Sequence, residues 1–207
     1  MEIPKLAFDD IAYELLMTPL RNNIDRKTAG KGMSQTFGVV TRRHSPAEYS
    51  RNCWFRPYLY KMLLEFGNKY VPFEFNAITV NQNYQASSHR DKNNVGVSFL
   101  VAFGNYTGGE LVLEEGERKG EYDICRKPII EDFSTVYHSV KSFVGDRFSL
   151  VYYKYVDKRY PMPNLPPPSV RQVEGEWTFF RGEEVVLRKE GLPHILKGRK
   201  REKKKIT

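Results

Sequence analysis

A chain of 207 residues with 40% hydrophobic and 14% aromatic residues, including 13 Tyr and 13 Phe, has the apolar material for one packed domain and is too apolar to stay unfolded. Net charge is +8, but residues 196–207 carry seven Lys and Arg against Glu202, so +6 of it belongs to the C-terminal end and the body is close to neutral. No apolar run approaches the ~18 residues that cross a bilayer, and MEIPKLAFDD lacks the layout of a secretory leader; with only Cys53 and Cys125, a reduced intracellular setting without a disulfide is expected.

Leu6, Phe8, Ile11, Ala12, Leu15 and Leu16 recur at helical spacing and predict a first helix that Pro19 helps to end. Residues 21–33, polar and glycine-containing, predict a loop, and Ser34 to Thr41 alternates as a strand does. From Pro46 a second helix is predicted, with Phe55, Leu59, Met62, Leu63 and Phe66 on one stripe, stopping near Gly67 with Pro72 beyond. These helices are expected to buttress a sheet.

After Pro72 the pattern changes to short segments: FEFNAITVNQNY, VGVSFLVAFG, GELVLEE, EYDICR, PIIE, STVYHSV and DRFSLVYYKYV. Such segments without a helical period between them predict an antiparallel sandwich or barrel. Gly104 to Gly109 and Glu114 to Gly120 are expected as hairpin loops, Gly108-Gly109 serving a turn and not a phosphate loop. PMPNLPPP at 161–168 interrupts regular structure, and residues 176–188 are expected to form a last hairpin or edge strand. The predicted class is α+β, mainly β: N-terminal supporting helices, then a jelly-roll, cupin-like core at about 73–156. One domain is expected over 1–195, with a basic, disordered tail at 196–207.

His89 and Asp91 stand two apart, so on an extended segment both side chains leave one face and reach one ion. Asn81 to Tyr84 ends a strand that loosens over Gln85 to Ser88, which places the pair at a barrel mouth. His138, at the end of the STVYH strand and 47 residues beyond Asp91, is far enough along the chain to return to that rim. Two imidazoles and one carboxylate on one face of an octahedral iron leave positions open for a chelating cosubstrate and O₂. Gly145-Asp146 predicts a hairpin turn that would set Arg147 on a strand next to that of His138. Arg147 and Ser149 share a strand face, where a guanidinium fork and a hydroxyl together suit one carboxylate.

The His-x-Asp, distal His and Arg-x-Ser series resembles the 2-oxoglutarate- and iron(II)-dependent dioxygenases, whose fold is a double-stranded β-helix. Within them, VNQNYQASSHRDKNN, YTGGEL and HSVKSFVGDRFSLVYYKY look like the TET/JBP branch, which oxidises the methyl group of pyrimidine bases in nucleic acid; the likeness covers about residues 75–156. The resemblance implies catalytic iron(II) on His89, Asp91 and His138, with the distal carboxylate of 2-oxoglutarate on Arg147 and Ser149, and O₂ as co-reactant. It further implies that Asn94 contacts an extruded base and that Tyr153 stacks on it. Tyr155 stands where such enzymes place a base-contacting His, and the cysteine-rich zinc region of animal members is missing.

Plainer readings compete at several positions. Tyr153 and Tyr155 alternate with Tyr152 and Lys154, so one pair is expected in the core whatever the function; Asn94 also suits a turn. His44 and His194 have no partner pattern. Asn81, Asn83 and Tyr84 are placed to line the cosubstrate pocket, Tyr84 best of the three. The expected substrate is a methylated pyrimidine such as 5-methylcytosine or thymine in nucleic acid, with DNA the favoured partner, the tail gripping phosphates or directing nuclear import. Hydroxylation of a prolyl or lysyl side chain is the main alternative, kept open by Tyr155 and the near-neutral body. A non-catalytic binding module is the third.

Overall fold

The computed structural model describes residues 2–20, 30–41, 46–156, 169–174, 176–181 and 184–189. Residues 21–29 of the loop expected at 21–33, His44, the Pro-rich stretch 161–168, His194 and the basic tail 196–207 lie outside the described residues. The chain runs through α1 (Leu6–Met17), β1 (Gly30–Val40), β2 (Glu48–Tyr49), α2 (Arg51–Phe55), α3 (Pro57–Tyr70), β3 (Ala77–Ala86), β4 (Ser98–Gly108), β5 (Leu111–Leu113), β6 (Gly120–Tyr122), β7 (Ile129–Glu131), β8 (His138–Val140) and β9 (Phe143–Tyr153). β10 (Ser169–Val173), β11 (Glu176–Arg181) and β12 (Glu184–Lys189) form a separate antiparallel trio that contains the hairpin expected at 176–188.

The major sheet has the order β2-β1-β3-β9-β4-β7 and the minor sheet β6-β5-β8, with antiparallel pairing throughout. This is the mainly β, double-stranded β-helix architecture expected. Period two along β4 and β9 divides its interior in two. Phe99, Val101 and Phe103 with Phe148, Leu150 and Tyr152 face α1 and α3, while Leu100 and Ala102 face Leu111, Leu113 and Phe133 on the minor-sheet side. Each large apolar side chain so buried stabilises the fold by roughly 1.5–3 kcal/mol. Tyr152, fully buried, donates its hydroxyl to the Leu63 carbonyl at 2.8 Å and so ties β9 to α3. With the even positions of β9 committed to the helices, Arg147, Ser149, Val151 and Tyr153 must face the space between the sheets.

Several expectations are corrected. In α1 the buried face is Phe8, Ile11 and Leu15; Leu6 is 84% and Leu16 54% exposed. β1 begins at Gly30, inside the expected loop. The second helix is two: Ser50 caps α2 by accepting from Asn52 N, and Pro57, which disfavours helical backbone at the residue before it, breaks the chain at Arg56 (φ −136°, ψ 58°). Phe55 thus leaves the stripe and is 62% exposed. Gly67 does not end α3, because a Cβ there would meet the Phe75 ring at 2.4 Å and Tyr152 at 2.7 Å: it is a contact glycine. β4 runs through Gly104 to Gly108, so no loop opens at 104, whereas Glu114 to Gly120 does join two paired strands. Gly145-Asp146 lies within β9, paired with Tyr106 and Asn105; β8 and β9, in different sheets, are linked by Lys141-Ser142. No helix among the described residues is long and apolar enough to cross a membrane.

Candidate metal centre

His138 is the first residue of β8, not the last of a strand, since residues 133–135 form a turn. On one side it pairs with Leu113 of β5; on the other it exchanges backbone hydrogen bonds with His89, 3.0 Å in each direction. That reciprocal pair fixes the two rings with centroids 4.3 Å apart and 47° between their planes. Asp91 is held two residues on by its own N–H to the Phe133 carbonyl at 2.9 Å, and its Oδ1 lies 3.6 Å from His89 Nε2. One ligand atom from each of His89, Asp91 and His138 lies within 4.8 Å of the others. Together the three could hold one divalent ion.

The hydrogen bonds behind the rings indicate which nitrogens would face an ion. His89 Nδ1 sits 2.8 Å from the Ser87 carbonyl and His138 Nδ1 3.2 Å from the Val136 carbonyl. A carbonyl only accepts, so each Nδ1 carries the proton and each Nε2 offers a lone pair inward. Burial pushes the pKa of His138 down, with His89 adding to the shift and Asp91 opposing it, so the ring is held in the neutral form a ligand requires. Asp91 Oδ2 accepts from Asn94 Nδ2 at 3.4 Å, leaving Oδ1 turned toward His89. This nitrogen, nitrogen and oxygen set, half-open at His89 and Asp91 and closed at His138, fits an octahedral divalent iron with free positions.

Arg147 lies in the same cavity, 2% exposed, flanked by the Tyr106 and Phe143 rings at 5.4 and 5.6 Å. Among the described residues its Nε and Nη2 have no hydrogen-bond acceptor. Burial lowers its pKa, yet an arginine stays charged, so a buried cation faces the cavity with two donors unspent. Gly109 (φ +75°) makes the room: a Cβ there would come within 2.9 Å of Arg147 Nε. Ser149, buried beside it on β9, accepts from Asn81 Nδ2 at 3.1 Å and keeps its own proton to donate. His138 and Arg147 are not on neighbouring strands as expected; they face each other from the minor and major sheets.

All nine residues singled out for metal, cosubstrate and substrate line one cavity of about 870 Å³: His89, Asp91, His138, Arg147, Ser149, Tyr84, Asn94, Tyr153 and Tyr155. Their individual settings differ from expectation in places. Asn94 is spent on Asp91 and on Ser98 Oγ at 3.1 Å. Tyr153, 9% exposed, points its hydroxyl at Thr79 Oγ1 (3.3 Å), which reaches Thr36 Oγ1 in turn (3.3 Å). Tyr155 is pinned by Asn76 through both backbone groups, at 2.7 and 2.9 Å, while its hydroxyl hydrogen-bonds Thr41. Tyr152 and Tyr153 are both buried, so the expectation of one alternating pair in the core fails where a strand has apolar packing on one face and a cavity on the other. Asn83 (φ 49°) is outside the cavity, its side-chain oxygen accepting the Arg147 backbone N–H at 2.8 Å. Cys53 and Cys125 are both free; burial pushes the Cys53 thiol up to about 12, and it accepts from Gly38 N–H.

No protein-family model matches the chain, and no characterised protein matches it by sequence. By structure it is similar to NgTET1 in complex with 5mC DNA, at 14% identity over 74% of this chain and 69% of that one, TM-score 0.51. It is also similar to an oxidoreductase of the 2OG-Fe(II) oxygenase family from Burkholderia pseudomallei (16% identity, 77% of this chain and 88% of that one, TM-score 0.49). A third match is a Pseudomonas putida prolyl-4-hydroxylase (12%, 74% and 86%, TM-score 0.45). The likeness establishes the fold, and the chain is built on the same double-stranded β-helix framework as the TET protein.

Proposed function

We propose that the chain is an iron(II)- and 2-oxoglutarate-dependent dioxygenase that hydroxylates a methylated pyrimidine base, such as 5-methylcytosine or thymine, in nucleic acid. The observation that carries the enzyme class is the pairing, inside one cavity, of an open two-His, one-carboxylate set with a buried guanidinium whose Nε and Nη2 lack an acceptor among the described residues. A dicarboxylate that chelates a metal at one end and meets Arg147 and Ser149 at the other answers both. When bound, iron with 2-oxoglutarate supplies the O₂ activation that C–H hydroxylation needs. The chain's residues do the positioning: Ser87 and Val136 carbonyls aim the two imidazoles, Asn94 turns Asp91, and Asn81 turns the Ser149 hydroxyl.

Support for the nucleic-acid substrate is the likeness to the TET structure with 5mC DNA together with the end of the cavity formed by Tyr153, Tyr155, Thr36 and Thr79. There a planar ring would meet tyrosine side chains and share hydroxyls that already bond Thr36, Thr41 and Thr79. A base inside a duplex cannot reach such a site, so the target is flipped out or single-stranded. The second reading, hydroxylation of a prolyl or lysyl side chain, draws on one observation: Asn94 and the Tyr155 hydroxyl are already hydrogen-bonded within the protein. Mass spectrometry of nucleosides from methylated DNA and RNA, run beside a peptide panel with iron and 2-oxoglutarate, separates the two. Hydroxymethylated pyrimidine is the expected product; turnover confined to peptides refutes the nucleic-acid reading, and no 2-oxoglutarate conversion under any condition leaves only the binding module.

The tail at 196–207 is proposed to add phosphate attraction. Its deletion is expected to weaken DNA binding and to flatten the dependence of affinity on salt, by ~0.9 in the logarithmic slope for each phosphate it had neutralised. Equal slopes for full-length and truncated protein, measured by fluorescence anisotropy, would remove the tail from substrate binding.

A further inference from the structure

β5 ends at Leu113, the residue paired with His138, and the two residues after it are Glu114 and Glu115. Glu114 keeps one more backbone link beside β8, its N–H reaching the Tyr137 carbonyl at 2.9 Å, and its carboxylate Oε2 accepts from Ser88 Oγ at 2.6 Å. Glu115 accepts the Tyr137 N–H at 2.9 Å and, on the same oxygen, Arg90 Nη2 at 2.6 Å and Nε at 3.2 Å. Arg90 in turn lies 4.1 Å over the Tyr137 ring. Ser88 and Arg90 flank His89, and Tyr137 and Ser139 flank His138. Each glutamate therefore joins a neighbour of His89 to a neighbour of His138: Glu115 through its carboxylate to Arg90 and Tyr137, Glu114 through its carboxylate to Ser88 and its backbone N–H to Tyr137.

We infer that Glu114 and Glu115 are positioning residues for the metal centre, a pair of carboxylate clamps that hold the His89 loop against the start of β8. The need for them follows from the local fold. His89 belongs to no extended strand, and its only ladder link to β8 is the isolated bridge with His138. Beyond that bridge and the Asp91 N–H on the Phe133 carbonyl, side-chain links are what limit a pivot of the loop. Links on both sides of that bridge remove the pivot and fix the separation of the two Nε2 atoms. Neither glutamate enters the cavity lining, so they act through the ligands and not on a substrate.

This inference rests on the metal reading above, and its test reads metal uptake, not turnover. Wild-type protein is titrated with Co(II) and followed by its d–d absorption, beside Glu114→Ala, Glu115→Ala and Glu115→Gln, with thermal melting of each metal-free protein. The alanine variants are expected to bind Co(II) about 10–100-fold more weakly and with an altered band shape, the scale on which outer partners act on ligands. Glu115→Gln, which still accepts from Tyr137 and Arg90, is expected to recover most of the affinity. Ser88→Ala and Arg90→Met cut the same links from the loop side and replace any glutamate variant that does not fold. Affinities and spectra within about twofold of wild type in these variants overturn the clamp while leaving the metal site standing. Wild-type protein that takes up no metal overturns the site itself, and the clamp with it.

Discussion

Asp91→Ala is expected to abolish both metal uptake and succinate formation while leaving the melting temperature of the metal-free protein nearly unchanged. The asymmetry comes from where the side chain sits. Its carboxylate is half-exposed at the cavity mouth and takes part in no apolar packing, and the Phe133 link that shapes the loop is made by the Asp91 backbone, which alanine keeps. Removal of a ligand itself must cost more than the ~10–100-fold that follows loss of an outer partner. His138→Ala should be equally dead but less stable, because that ring is 6% exposed and packs on Phe133 at 4.6 Å. Isothermal titration with Fe(II) under nitrogen, with succinate assayed in parallel, checks both. Full turnover by Asp91→Ala would end the iron assignment.

The clearest signals in the sequence are those that depend on period. His89 and Asp91 two apart, and Arg147 and Ser149 two apart, need only an extended backbone to share a face, and the structure gives each pair that face. The convergence of His138 on them is legible for the same reason that a β-sandwich is: a string of short strands must return to its own rim. What failed was the reading of glycines. Gly145, which the sequence places in a turn, has φ +107° inside β9, where a Cβ would strike the Asn105 carbonyl at 2.3 Å; Gly104 does the same against Asp146. A glycine that admits a close strand neighbour and one that makes a turn have the same local signature, and only the register tells them apart.

Side-chain partners across loops were not legible at all. Asn94 reads equally as a turn residue or a base contact, and it proves to brace Asp91 because residues 92–94 fold back toward Ser98. Glu114 and Glu115 sit in an acidic, glycine-containing stretch that reads as a solvated hairpin loop, which it is; their importance lies in which strand the hairpin passes. The helix α2–α3 break was readable from Pro57 in principle, since the residue before a proline avoids the helical region. The long apolar stripe outweighed that single residue.

The second large effect is expected at Arg147, and Arg147→Met is the informative change. Methionine is close in length, fills the slot between the Tyr106 and Phe143 rings, and needs no acceptor. In the cosubstrate-free protein the wild-type guanidinium is a desolvated charge whose Nε and Nη2 lack acceptors among the described residues, a condition that costs stability. Arg147→Met is therefore expected to melt at the same temperature as wild type or higher. Its affinity for 2-oxoglutarate should fall at least ~30-fold, since losing one partner of a buried, hydrogen-bonded charge pair costs about 2–5 kcal/mol. Added 2-oxoglutarate should raise the wild-type melting temperature in the presence of metal and leave that of the variant unmoved. A residue kept for packing would behave in the opposite sense, losing stability on substitution and leaving the 2-oxoglutarate requirement alone. The two measurements together thus separate a cosubstrate anchor, stabilised only when its anion arrives, from an arginine that merely fills the barrel.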